Sequence, residues 1–127
     1  MTHSDTEIRT DDAPIRTAAL LLRSRAARLQ HFQNDAPDID DISWHILLDL
    51  MVSMKTNEMV TADDLACRHA VAKTTMSRYI EYLTGAELIR KDHDGGEQGR
   101  ERLTLTGTGD ALASDALRKI SEELQAL

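Results

Sequence analysis

The sequence predicts a mainly helical α+β protein with one small β-hairpin. Three observations carry this reading. Apolar residues recur at three- and four-residue steps through most of the chain, two-residue alternation is confined to one stretch around a glycine-rich turn, and aromatic residues make up only 3%. With so few rings, the core has to be assembled from Leu, Ile, Ala, Met and Val, a set suited to helix-on-helix packing. At 127 residues the chain can bury one core and carry helical extensions from it.

Residues 1–14 (MTHSDTEIRTDDAP) read as a flexible acidic N-terminus, with four acids against Arg9. Pro14 suits the first turn of a helix, and Ile15, Ala18, Ala19, Leu22, Ala26, Leu29 and Phe32 then form an apolar stripe, so a first helix is expected over residues 15–33. Asn34 to Asp41, with Pro37 and four aspartates, breaks the pattern and offers Asp40 and Asp41 as N-caps. Ile42, Ile46, Leu47, Leu50 and Met54 mark a second, central helix. Lys55 to Glu58 reads as a loop and Met59–Val60 as a short strand. Thr61 followed by Asp64 has capping-box spacing, with Asp replacing the usual Glu, and opens a short helix from Ala62 to about His69 with Leu65 and Ala66 inward.

A break near Ala70 to Ala72 leads into KTTMSRYIEYL, a helix over residues 73–83. Met76, Ile80 and Leu83 share its inner face, which leaves Lys73, Thr74, Ser77, Arg78 and Glu81 mostly on the other. LIRK, the turn DHDGGEQGR and RLTLT then give a hairpin over residues 88–105, with Leu103 and Leu105 inward and Arg100, Arg102 and Thr104 outward. Thr106 can cap a final helix in residues 107–127 whose stripe is Ala113, Ala116, Leu117, Ile120, Leu124 and Leu127. The order is that of a helix-turn-helix followed by a β wing.

Four stretches, WHILLDL at 44–50, TADDLA at 61–66, KTTMSRYIEYL at 73–83 and ELIRKD with LTLTGTGDAL within 87–112, together resemble the MarR-like winged helix-turn-helix transcriptional regulators, and most of all their small alphaproteobacterial type. The resemblance implies a DNA-binding domain over residues 40–106 and a homodimer joined through the helices at 15–33 and 107–127, in keeping with their otherwise unemployed apolar stripes. Two departures stand out. The family has Gly before the L-I of the first wing strand, where φ is often positive; here Glu87 fills that place and Gly85 lies two residues earlier, leaving the helix end open to remodelling. The family's Asp-x-Arg wing element is also shifted, because Glu97, Gln98 and Gly99 put Arg100 one residue late.

The residues expected to meet double-stranded DNA are Lys73, Thr74, Thr75, Ser77, Arg78 and Tyr82 on the reading helix and Arg100 and Arg102 on the wing. Hydroxyls and open backbone N–H groups at a helix start suit phosphate, and Arg suits guanine, with Arg78 the foremost single residue. The bland alternative is a solvated helix face. Tyr79 suits either a phosphate bond or the core. Arg23, Arg25 and Arg28 read as a solvated face or as partners of Asp38 to Asp41, and Trp44 as a core residue before a pocket wall.

Composition narrows the rest. The net charge of −7 argues against indiscriminate coating of nucleic acid, yet residues 61–105 hold seven basic against eight acidic residues, which leaves room for a local basic face. Cys67, the only cysteine, can form neither an internal disulfide nor a cysteine zinc site; Arg68 and His69 beside it could favour a thiolate, against the more ordinary reading of an incidental thiol. The histidines lack zinc-motif spacing, and neither a phosphate-cradling loop nor a nucleophile-base pattern is present, so no metal, cofactor or enzymatic activity is expected. The apolar runs are too short for a membrane span and the N-terminus lacks leader character, so a soluble cytoplasmic protein is expected. The function expected is sequence-specific regulation of transcription, as a repressor binding a pseudo-palindromic operator, with a possible small-molecule effector of unknown identity. The alternative is a winged-helix protein-interaction module without a high-affinity DNA site.

Overall fold

A computed structural model describes residues 2–36, 38–92 and 101–126, with the backbone alone for residues 2–11, 34 and 35. Its elements run α1 (Thr2–Asp35), α2 (Asp41–Lys55), α3 (Ala62–Arg68), α4 (Lys73–Gly85), β1 (Ile89–Asp92), β2 (Arg102–Leu105) and α5 (Gly107–Gln125). The chain divides into two compact units: Met1–Pro37 with Ala116–Leu127, and Asp38–Asp115. The predicted class, mainly helical with one hairpin, is the one observed.

In the first unit, α1 starts at Thr2, well before the expected start at Pro14, which lies inside the helix. An internal proline removes one helical hydrogen bond, but THSDTEIRTDDA contains no glycine or second proline, and acids near a helix start are favoured by its dipole. Of the expected apolar stripe only Phe32 is buried; Ile15, Ala18, Ala19, Leu22, Ala26 and Leu29 are exposed, as is Leu21 beside them, and the buried neighbours of Phe32 are Ala27 and Arg28. Arg28 departs from the solvated-face reading. At 3% exposure it lies one turn from Phe32, on the buried side of α1. Arg23 meets Glu123 at 3.8 Å.

The second unit gathers its core from every element. Ile46, Leu47 and Leu50 of α2, Leu65 of α3, Met76, Ile80 and Leu83 of α4, Ile89 of β1 and Leu103 of β2 are all buried, as is Trp44, which is core as expected. Asp40 caps α2 by accepting from the Ser43 amide at 2.8 Å. β1 and β2 are antiparallel, with Ile89 opposite Leu105 and Asp92 opposite Arg102. Met59–Val60 is not a strand, although the Val60 carbonyl accepts from the Leu103 amide at 2.8 Å. That bond flanks β2 on its second edge. Leu103 and Leu105 are inward as expected, but Thr104 is not outward: it is 6% exposed, and its hydroxyl has no partner among the described residues. β2 is thus paired with β1 on one edge and bonded to Val60 on the other.

Helices α2, α3 and α4 all stop in the same way. After α2 the Asn57 amide donates to the Met54 carbonyl and the Glu58 amide to Ser53; after α3, Ala70 donates to Cys67 and Val71 to Ala66; after α4, Glu87 donates to Thr84 and Leu88 to Leu83. These are Schellman closures, each needing one residue at positive φ, and the residues there are Asn57 (57°), Ala70 (53°) and Glu87 (62°). The end of α4 is therefore not remodelled to use Gly85; Glu87 itself takes the left-handed conformation. Glycine is indispensable elsewhere. A Cβ on Gly109, in the first turn of α5, would lie 2.0 Å from the Leu88 carbonyl oxygen. Thr106 binds this corner together, as its hydroxyl donates to the Glu87 carbonyl at 2.6 Å and accepts from the Gly109 amide at 2.9 Å.

A left-handed residue with a side chain costs about 1–2 kcal/mol, so Ala70→Gly and Glu87→Gly should each raise the unfolding free energy by about 1 kcal/mol in urea titrations. Gly109→Ala should lower it by about 2 kcal/mol or more, because the added methyl meets backbone and not a side chain that can swing away.

Candidate nucleic-acid interface

Short as it is, α3 is held at both ends. The capping box is complete: the Thr61 amide donates to Asp64 Oδ2 at 3.0 Å and the Asp64 amide to Thr61 Oγ1 at 3.2 Å. At its other end Arg68 donates to Asp49 Oδ1 at 2.6 Å and to Glu58, and His69 Nε2 lies 3.1 Å from Asp49 Oδ2. The Glu58 hydrogen bond is the main reason that the Arg68 pKa rises above its ordinary value, with partial burial opposing and Asp49 reinforcing it. Arg68 and His69 are thus directed at α2 and its C-terminal loop. Cys67 is exposed, but Arg68 and His69 beside it in sequence are engaged by carboxylates.

Against this fixed helix, the turn through Ala70 sets the direction of α4. Ala72 caps α4 without a side-chain hydrogen bond, and the first intrahelical bond runs from the Met76 amide to the Ala72 carbonyl at 2.8 Å. The amides of Lys73, Thr74 and Thr75 precede any intrahelical partner, so the helix start offers donors. Met76, Ile80 and Leu83 are buried, while Lys73, Thr74, Thr75, Ser77, Arg78, Glu81 and Tyr82 are exposed. All six residues expected on the reading helix thus share one accessible surface. Lys73 has only a long contact to Asp63, at 3.8 Å, and Arg78 has no ion pair among the described residues.

The flanks of α4 were not legible in sequence. On one side a shallow groove of about 400 Å³ is lined by Asp38, Asp40, Ser43, Thr75, Arg78, Tyr79 and Tyr82. There the Tyr79 hydroxyl donates to Asp40 Oδ2 at 2.8 Å, which commits it to neither the phosphate nor the core reading. The bond raises the Tyr79 pKa, with burial and the Asp40 charge adding to it. Tyr82 is also raised, mainly by burial and then by Asp38 and Asp40. For Asp40, burial works against ionisation, but the Ser43 amide and hydroxyl, the Tyr79 hydroxyl and the Ile42 amide outweigh it and hold the carboxyl below its ordinary 3.8. On the other side a polar groove of about 320 Å³ is bordered by Asp63, Ser77, Glu81, Lys91 and Glu101. The N-cap position of Asp40 was the one sequence signal that could have placed an acid beside α4.

Two further residues were expected on the wing. Arg100 lies in residues 93–100, outside the described residues. Arg102 is half-buried, with its Nε enclosed and without a partner among the described residues. Arg90 pairs with Asp92 on its own strand at 3.3 Å. Among the described residues, no cluster of three metal-ligating side chains occurs, and no helix is long and apolar enough to cross a membrane.

No protein-family model matches the sequence, and neither does any curated protein. Solved structures do share the fold. MepR, a transcription regulator of the Staphylococcus aureus multidrug efflux pump MepA, superposes with a TM-score of 0.70 at 22% identity over 91% of this chain and 79% of its own. A point mutant of MepR bound to an oligodeoxyribonucleotide gives 0.71 at 20% identity, over 87% and 77%. NadR in complex with 4-hydroxyphenylacetate gives 0.66 at 22% identity, over 87% and 71%. The chain has the winged-helix fold of the MarR-like regulators.

Because the folded state depresses the Asp40 pKa, its stabilising contribution is complete above pH 3.8 and lost as the pH falls below it. Asp40→Asn keeps a capping oxygen but does not titrate. The stability difference between wild type and this variant in urea unfolding should therefore shrink as the pH is lowered from about 6 to about 3.

Proposed function

We propose that the chain is a sequence-specific DNA-binding transcription regulator acting as a homodimer, with α4 in the major groove and the β1–β2 wing alongside. The observation that carries this reading is the accessible face of α4, where Lys73, Thr74, Thr75, Ser77 and Arg78 surround an uncapped helix start. Backbone amides and hydroxyls there suit phosphate oxygens, and an unpaired Arg78 can reach the O6 and N7 acceptors of guanine. The DNA complex of MepR, which has the same fold, supports the assignment. The exposure of Tyr82 beside that face supports a phosphate contact from it, and Arg100 and Arg102 remain the wing residues proposed to add contacts.

Dimerisation is supported by the uncovered Ile15, Leu21 and Leu22 of α1, more apolar side chain than an isolated helix face normally leaves in water. Two copies of α4 would then address two half-sites of a pseudo-palindromic operator. Repression by occupying that operator is the sense of regulation we infer, and such a regulator acts in the cytoplasm. NadR, with its bound 4-hydroxyphenylacetate, supports a small-molecule effector for this fold.

A second reading has its own observation. Asp38 and Asp40 on one flank of α4, and Asp63, Glu81 and Glu101 on the other, would suit a basic protein partner. Binding to the DNA upstream of the protein's own gene, measured across a salt series, separates the two, since each phosphate neutralised adds about 0.9 to the slope of log K against log salt. A steep slope is expected, and no binding at low salt would overturn the DNA reading. Arg78→Ala should weaken operator binding about fivefold or more while the mass in sedimentation remains that of the dimer.

A further inference from the structure

Along α4, the turn of about 100° per residue places Thr74, Arg78, Glu81 and Gly85 opposite the buried Met76, Ile80 and Leu83. Glu81 therefore stands on the accessible side of the helix, about one turn beyond Arg78 and on the edge that borders the polar groove shared with Ser77 and Lys91. It is exposed, and no hydrogen bond or ion pair engages it among the described residues; Arg78 does not neutralise it. We propose that Glu81 is a specificity-determining residue that reads cytosine, accepting a hydrogen bond from its N4 amine at one base pair in each half-site. The inference rests on the DNA-binding reading above and deepens it.

The argument is one of complementarity. An ionised carboxylate can only accept hydrogen bonds. A duplex brought against α4 presents phosphates, which repel it, and the major-groove acceptors of guanine, adenine and thymine, which cannot satisfy it. The only donors in that groove are cytosine N4 and adenine N6. Adenine sets its N7 acceptor beside the amine, against the second carboxylate oxygen, whereas cytosine has no acceptor there. Glu81 thus favours cytosine, and a duplex without a donor at that position leaves the charge desolvated and unanswered. Glutamine at the same place offers both an acceptor and a donor, which matches adenine N6 and N7. Replacing one side-chain oxygen by nitrogen should therefore change which base is chosen.

The test is selection of bound duplexes from a random-sequence pool, run in parallel with wild-type protein, Glu81→Gln, Glu81→Ala and Arg78→Ala. Wild type should prefer cytosine at one position per half-site by about fivefold or more. Glu81→Gln should move that position to adenine, Glu81→Ala should leave it without preference, and the other positions should be unchanged. If both Glu81 variants select the wild-type site with uniformly tighter binding, Glu81 only repels phosphate and the proposal is overturned, even while Arg78→Ala shows that the helix reads DNA. If wild type selects no sequence, the DNA-binding reading fails and this inference with it. Circular dichroism of the exposed-site variants separates loss of reading from loss of fold.

Discussion

Three helix C-termini in the unit from Asp38 to Asp115 leave carbonyls that no following helical amide reaches, and a small domain cannot enclose such groups without answering them. Each is answered by folding the chain back on itself through one left-handed residue, Asn57, Ala70 or Glu87. The placement of three segments follows from those reversals. The first delivers Val60 to the edge of β2, the second sets α4 against α3, and the third delivers Leu88 to the corner where Thr106 and Gly109 begin α5. The backbone of the reading unit is defined by where these bends fall.

On that frame the charge arrangement is an economy of placement. A chain of net charge −7 cannot rely on bulk attraction to a polyanion. Arg68, which might have added to a basic surface, is instead bound by Asp49 and Glu58 and serves to hold α3 to α2. The cations left on α4 are Lys73 and Arg78, with carboxylates along both flanks of the helix. A surface of this kind gains little from a random duplex, so any useful affinity has to come from particular hydrogen bonds.

Periodicity located every helix and the hairpin, and the three capping residues Asp40, Thr61 and Thr106 were visible in sequence because each bonds an amide three residues on. The reading helix and its polar face were legible for the same reason. What escaped depended on contacts distant in sequence. Nothing near Tyr79 announces that its hydroxyl belongs to Asp40, thirty-nine residues earlier, and nothing in RLTLT reveals that Val60 flanks β2 or that Thr104 is buried. Pro14 misled by its identity: a residue that often starts helices lies inside one here.

The left-handed residues also bear on how such a protein is recognised. Because the bends are maintained by main-chain hydrogen bonds, the chain traces them with Ala70 and Glu87 at positions whose conformation glycine would favour. Gly109 is the exception, since its neighbour is a carbonyl oxygen that leaves no volume for a methyl group. The same main-chain path is thus open to sequences with few residues in common, as the fold shared with MepR at 22% identity illustrates.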